Sequence, residues 1–105
     1  MATDPLDALD ALIRTRKGAD PASSYTAKLF ADGRARIAQK VGEEATETVI
    51  AAMGSDKTAL TGEAADLVYH LLVLLADAGL SLGDVRNELA RRTGVSGHDE
   101  KAARS

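Results

Sequence analysis

Lys40-Val41-Gly42-Glu43-Glu44-Ala45-Thr46-Glu47 is the run around which the chain is organised, and it reads as part of a helix. At about 100° per residue, Glu43, Glu44 and Glu47 project within a sector of roughly 100°. Like charges held so close repel. Two of them about 4 Å apart cost on the order of 4 kcal/mol at an effective dielectric near 20. A second acidic pair, Glu63 and Asp66, is spaced three apart and so also shares one helical face. Something positive should offset this charge, and oxygen ligands at this density suggest a hard divalent cation, Mg²⁺ or Mn²⁺.

The full pattern is Glu-Glu-x-x-Glu, fifteen intervening residues, then Glu-x-x-Asp. Fifteen residues suffice to finish one helix, turn tightly and begin the next. Two adjacent antiparallel helices then bring Glu44, Glu47, Glu63 and Asp66 to one level, a geometry for a metal with positions left open to water and phosphate oxygens. The plainer alternative is a solvated face, since Glu43 and Glu44 lie three and four residues from Lys40 and can pair with it. Asp66 argues for the metal. It sits at the edge of the most apolar segment, where a carboxylate should be at least partly buried and need a partner.

His70 follows Asp66 by four residues and Glu63 by seven, on the same face. It is either a ligand or acid–base group, or a hydrogen-bonded core histidine. Asp66-x-x-x-His70 differs from the Glu-x-x-His of di-iron bundles. Tyr69 reads as packing with a hydroxyl tether. Gly42 and Gly62 each precede an acidic residue and cost roughly 1 kcal/mol relative to Ala inside a helix, so each marks either a close approach or a tolerated lapse. Lys28, Arg34, Arg36 and Lys40 are the cations available for phosphates, with Lys40 one turn before the acidic pair. Arg34 and Arg36 cannot both face the same way. No P-loop or Rossmann fingerprint is present.

Outward from this centre the chain reads as helices throughout. Asp4-Pro5 starts the first, with Leu6, Leu9, Leu12 and Ile13 on one face, ending near Lys17-Gly18. Ser23-Ser24 caps a short helix, Tyr25 to Ala31, and Asp32-Gly33 is a helix-to-helix junction. A long helix from Arg34 to Met53 packs through Ile37, Val41, Ala45, Thr48, Val49 and Ala52. Gly54-Ser55-Asp56 separates it from another, Asp56 to Ala78, whose Leu67–Leu75 portion is apolar nearly all round and reads as buried. Ser81-Leu82-Gly83-Asp84 resembles a capping box for a last helix running to about Arg92. Residues 93–105 read as a flexible tail.

The composition bounds this picture. The chain has 105 residues, 45% of them hydrophobic, which suits one domain, residues 1–92, with a core of Ala, Leu, Val and Ile. A domain this small should bury further apolar surface against a second subunit. The net charge of −3 and short basic clusters exclude a nucleic-acid footprint. No cysteine is present, so no disulfide or thiolate site is available. The N-terminus shows no signal-peptide pattern and the apolar run Leu67–Ala78 is too short to span a bilayer, so a soluble cytoplasmic protein with no membrane partner is expected.

Three segments resemble the phosphoribosyl-ATP pyrophosphohydrolases of histidine biosynthesis. They are Ser24-Tyr25-Thr26-Ala27-Lys28-Leu29, the run from Gly33 to Ala45, and Glu63-Ala64-Ala65-Asp66-Leu67-Val68-Tyr69-His70-Leu71-Leu72, with Gly79-Leu80-Ser81-Leu82 continuing the likeness. The acidic pattern alone is shared with the wider MazG-like all-α pyrophosphohydrolases; Ser-Tyr-Thr-x-Lys and Lys-Val-Gly-Glu-Glu are more specific. The resemblance implies a MazG-like helical bundle of four main helices and a short one, completed by dimerisation. It implies Mg²⁺-dependent hydrolysis (Mn²⁺ as an alternative) of phosphoribosyl-ATP to phosphoribosyl-AMP and pyrophosphate. By motif position the metal ligands are Glu44, Glu47, Glu63 and Asp66, with Glu43 in an outer shell or as the base. Glu43, Glu44 and Lys40 are then the catalytic set, and Lys28, Lys40, Arg34 and Tyr25 the substrate contacts. The cyclohydrolase domain often fused to this one is absent, which reads as a stand-alone form. Thr46, Thr48 and Gly62 depart from the expected pattern without touching the acidic set. Two other functions fit the residues: a house-cleaning nucleoside triphosphate pyrophosphohydrolase, and a non-catalytic helical dimerisation module.

Overall fold

Local caps set most of the helix limits. The computed structural model describes residues 4–93. Helix α1 (Pro5–Thr15) begins where the Asp4 carboxylate accepts the Leu6 N–H, with proline at the position whose N–H has no helical partner. Helix α2 (Tyr25–Asp32) is capped by Ser24, whose hydroxyl accepts from Ala27 N–H. Gly33 ends α2 and starts α3 (Arg34–Ala52) with φ 98°, a conformation that only glycine adopts without strain, so Asp32-Gly33 is the corner the sequence suggests. Asp56 accepts from Thr58 and Ala59 N–H to open α4 (Lys57–Asp77). The other end of α4 closes in a Schellman turn: Leu80 N–H bonds Leu75 C=O, Gly79 N–H bonds Ala76 C=O, and Gly79 takes φ 78°. Ser81 and Asp84 cap α5 (Leu82–Thr93) reciprocally through side chains and backbone. Among the described residues all regular structure is helical; of the expected tail, residues 93–105, Thr93 is the last residue of α5 and the rest lies outside the described residues.

The main seam is α3 against α4, with α1 and α2 laid across α4. The core at this seam is Ile13, Leu29, Ile37, Leu72, Val73 and Ala76, all buried. Lys17 donates to the Ala76 and Asp77 carbonyls, and Arg34 bonds both the carboxylate and the carbonyl of Asp77. Two cations thus cover the negative end of the α4 dipole.

Three packing expectations change. The inner stripe of α3 runs through Ile37, Glu44 and Thr48 rather than through Val49, which is 61% exposed, or Ala52. Residues seven apart on a helix are nearly eclipsed, so burying Ile37 turns Glu44 inward. On α1 the inner face is Leu9, Asp10 and Ile13, while Leu6 and Leu12 face out. The apolar half of α4 is buried on one side only, and Val68 and Leu71 are left exposed. At 21 residues, α4 as a whole is long and apolar enough to cross a membrane by length and composition. It nonetheless carries Glu63 and Asp66 and packs on three other helices, which is the setting of a bundle's core helix.

Candidate metal centre

The antiparallel register of α3 and α4 assembles the site. Arg34 meets Asp77 at one end of the seam. Glu44 meets Glu63 and Asp66 further along. Ten residues forward on α3 are answered by eleven backward on α4, a distance of about 15 Å at 1.5 Å per residue. Carboxylate oxygens of Glu44, Glu63 and Asp66 lie within 4.8 Å of one another, so this cluster can hold a metal ion. Glu47 stands beside this trio rather than in it, and its charge bears on both Glu44 and Glu63.

The electrostatics show a site short of positive charge. Burial, reinforced by Glu47, pushes the Glu44 carboxyl above the usual carboxylate range, against the opposing pull of His70 and Lys40. Glu63 is raised for the same leading reason, with Glu47 and Asp66 adding repulsion. Oε2 of Glu44 and Oε2 of Glu63 are buried with no hydrogen-bond partner among the described residues. Orphaned buried acceptors are costly, and a hard cation that takes several oxygen ligands answers both the charge and the missing bonds. The donor set therefore fits a divalent metal. Asp66 departs from expectation: it is exposed, because its position on α4 opens to solvent at the edge of the seam.

Lys40 is the cation nearest the cluster, 3.3 Å from a Glu43 oxygen and 3.7 Å from one of Glu44. The hydrogen bond with Glu43 raises its pKa above the ordinary lysine value, against partial burial, with Tyr25, Glu43 and Glu44 adding to the rise. Glu43 faces outward with Arg36 at 3.8 Å and Gln39 as further neighbours. The other expected contacts lie apart from the trio or beside it. Lys28 pairs with Asp32 at 3.1 Å on the surface of α2, and Arg34 is held by Asp77 at the far end of the seam. Tyr25 is half-exposed, its hydroxyl 3.2 Å from Nε2 of His70.

His70 is the hydrogen-bonded buried histidine of the plainer reading: Nδ1 lies 2.7 Å from the Asp66 carbonyl. Tyr69 is tethered through its hydroxyl to Thr26. Neither the Tyr69–Thr26 link nor the His70–Tyr25 link is visible in spacing, because both join α4 to the first turn of α2, 43 and 45 residues earlier. The one signal in the sequence is the adjacency of Tyr25-Thr26 and of Tyr69-His70. Among the described residues nothing beyond the helix's own adjacent backbone lies within 4 Å of where a Cβ at Gly42 or Gly62 would stand, so none of the described helices makes the close approach considered for them. The Thr46 and Thr48 hydroxyls turn back onto the carbonyls of Gly42 and Glu44, which makes these polar residues self-satisfied.

Residues 6–93 match the family model described as phosphoribosyl-ATP pyrophosphohydrolase. The chain belongs to that family. The matched span contains every residue of the acidic cluster. A phosphoribosyl-ATP pyrophosphatase of Rhizorhabdus wittichii is 60% identical over 97% of this chain and 96% of its own length. Proteins of the same name from Paramagnetospirillum magneticum and Azospirillum brasilense are 60% and 62% identical, covering 95% and 94% of this chain and 92% and 89% of their own.

Proposed function

We propose that this chain works as its family does, removing pyrophosphate from phosphoribosyl-ATP to leave phosphoribosyl-AMP, a step of histidine biosynthesis, at the acidic end of the α3–α4 seam. The observation that carries the site is the convergence of Glu44, Glu63 and Asp66, with two buried oxygens lacking partners. Glu47 completes the set as a fourth ligand or as the neighbour that tunes the other three. The metal is Mg²⁺, with Mn²⁺ able to replace it. Bound there, it would neutralise phosphate charge and polarise the α–β phosphoanhydride.

The chain's own groups supply the rest. Glu43 is outside the trio and exposed, a carboxylate that takes the proton of an attacking water. Lys40 bridges Glu43 and Glu44 and offers a fixed positive charge to the departing pyrophosphate. Tyr25 borders this group and contacts the nucleoside portion. Lys28 and Arg34 reach substrate only by releasing Asp32 and Asp77. Val49 and Ile50 on α3 and Met53 at its C-cap are 61%, 65% and 79% exposed, an apolar surface that supports a homodimer. The cytoplasm is the proposed compartment.

Pyrophosphate release measured with Mg²⁺ across phosphoribosyl-ATP, ATP, dUTP and dCTP tests this reading. The expected result is marked preference for phosphoribosyl-ATP. Preference for a deoxynucleotide would instead make the chain a house-cleaning enzyme, and no metal-dependent turnover on any substrate would leave only a dimerisation module.

A further inference from the structure

Two adjacent side chains of α4 reach the first turn of α2. Tyr69 bonds Thr26, and His70 bonds Tyr25. The first link is enough to dock the helix. The second does something else, because its far end is a ring that is 52% exposed and needs no partner for burial.

The His70 ring is itself buried, at 5% exposure, and both its nitrogens are used. The Asp66 carbonyl can only accept, so Nδ1 carries the ring proton. In the neutral imidazole Nε2 is then the acceptor and the Tyr25 O–H donates to it. The chain of bonds therefore runs from the backbone of a residue in the metal trio, through one imidazole, to a phenol at the open surface. Exposed aromatic side chains ordinarily sample several rotamers. Here the hydroxyl is tied, and the ring lies nearly parallel to Tyr69 at 22° with centroids 6.4 Å apart.

We propose that His70 is a positioning residue: by holding the Tyr25 hydroxyl it fixes the Tyr25 ring beside the acidic cluster as a wall against which the purine of the substrate stacks. This rests on the reading above that Tyr25 contacts the nucleoside. Base-on-aromatic stacking depends on the ring being in place before the base arrives, so loosening it should weaken substrate binding and leave the chemistry nearly untouched.

Steady-state kinetics on the full chain with phosphoribosyl-ATP and Mg²⁺ test the proposal, using Tyr25→Phe, His70→Asn, His70→Gln and the Tyr25→Phe/His70→Asn double variant. Tyr25→Phe keeps the ring and loses only the tether. It should raise KM roughly 5- to 10-fold, with kcat changed by no more than about twofold, the scale of one lost hydrogen bond. His70→Asn keeps the Asp66 side of the link and should match it, and the double variant should be no worse than either single one. His70→Gln, whose longer amide still reaches the phenol, should recover part of the loss. An unchanged KM in Tyr25→Phe would overturn the proposal, as would multiplicative effects in the double variant. Tyr25→Phe alters a half-exposed residue, so its result stands even if a His70 variant fails to fold. If the unaltered chain does not turn over phosphoribosyl-ATP, the underlying reading falls and takes this proposal with it. That result is distinct from an active enzyme indifferent to Tyr25→Phe.

Discussion

The two ends of the α3–α4 seam are built from the same pair of helices in the same register, yet they obey opposite rules. At one end Ile37, Leu72, Val73 and Ala76 are closed into a core, and Arg34 and Lys17 satisfy the carbonyls that end α4. Every polar group named there has a partner. At the other end Glu44 occupies the same inner stripe as Ile37, buried at 7% exposure, facing Glu63 and Asp66, with carboxylate oxygens left unpaired. The contrast separates what holds the bundle together from what the bundle is for. A cluster of like charges with one member buried weakens the fold on its own account, so its presence in the main seam calls for a ligand that offsets the cost.

The sharpest way to break the comparison is to disable the acidic end alone. Asp66→Asn or Glu47→Gln should abolish Mg²⁺-dependent pyrophosphate release, a loss beyond the ~10–100-fold typical of an outer-shell partner, while circular dichroism shows the helices intact. Full activity in either variant would remove that residue from the site. The converse is Ile37→Ala, which truncates a fully buried side chain. It should cost about 2–5 kcal/mol by chemical denaturation, with the affinity of the remaining folded protein for Mg²⁺ unchanged.

A smaller effect follows from protonation. Glu44 and Glu63 have pKa values raised above their ordinary 4.5 by burial. Their contribution favours folding below that ordinary value and is lost as pH rises through the raised ones. The metal-free protein should therefore lose stability over the pH range just above 4.5. Glu44→Gln removes one of these ionisations. At pH 7 in chelator its Tm should rise by roughly 4–8 °C, the effect of about 1 kcal/mol in a domain this size, and the shift produced by added Mg²⁺ should shrink. Glu88 behaves oppositely, since hydrogen bonds from Arg91 and Arg92 hold it down at about 2, and its contribution is present above 4.5 and lost as pH falls toward 2. The smallest effect concerns Gly42. A Cβ there meets no other element among the described residues, so Gly42→Ala should stabilise an isolated subunit by about 0.5–1 kcal/mol through helix propensity. Destabilisation instead would show that a second copy packs closely against that turn.

Much of this was legible in the residues because caps act locally. Asp4-Pro5, Ser24, Asp56 and the Ser81–Asp84 pair mark helix starts without reference to any partner. The acidic spacing was legible for the same reason: three- and four-residue intervals fix a face whatever that face meets. The rotation of α3 about its axis was not. An apolar stripe through Val49 is the natural choice, since hydrophobicity alone gives no reason to turn a glutamate inward; Glu44 is carried in by the burial of Ile37 seven residues before it, and the turn at Gly54–Asp56 brings the carboxylates of α4 level with it. Arg34 illustrates the same limit. As a free cation it suits a phosphate, but the end of α4 arrives beside it and claims it through Asp77. The Tyr25–His70 link depends on where α2 crosses α4, which no local spacing encodes.

The central claim is that the unpaired oxygens at the acidic end exist to hold a divalent cation. Anomalous difference density from crystals of this protein soaked in Mn²⁺ tests it most directly. The expected result is a peak within coordination distance of Glu44, Glu63 and Asp66. Crystals that diffract well and show no peak there, with the three carboxylates turned apart into solvent, would contradict it.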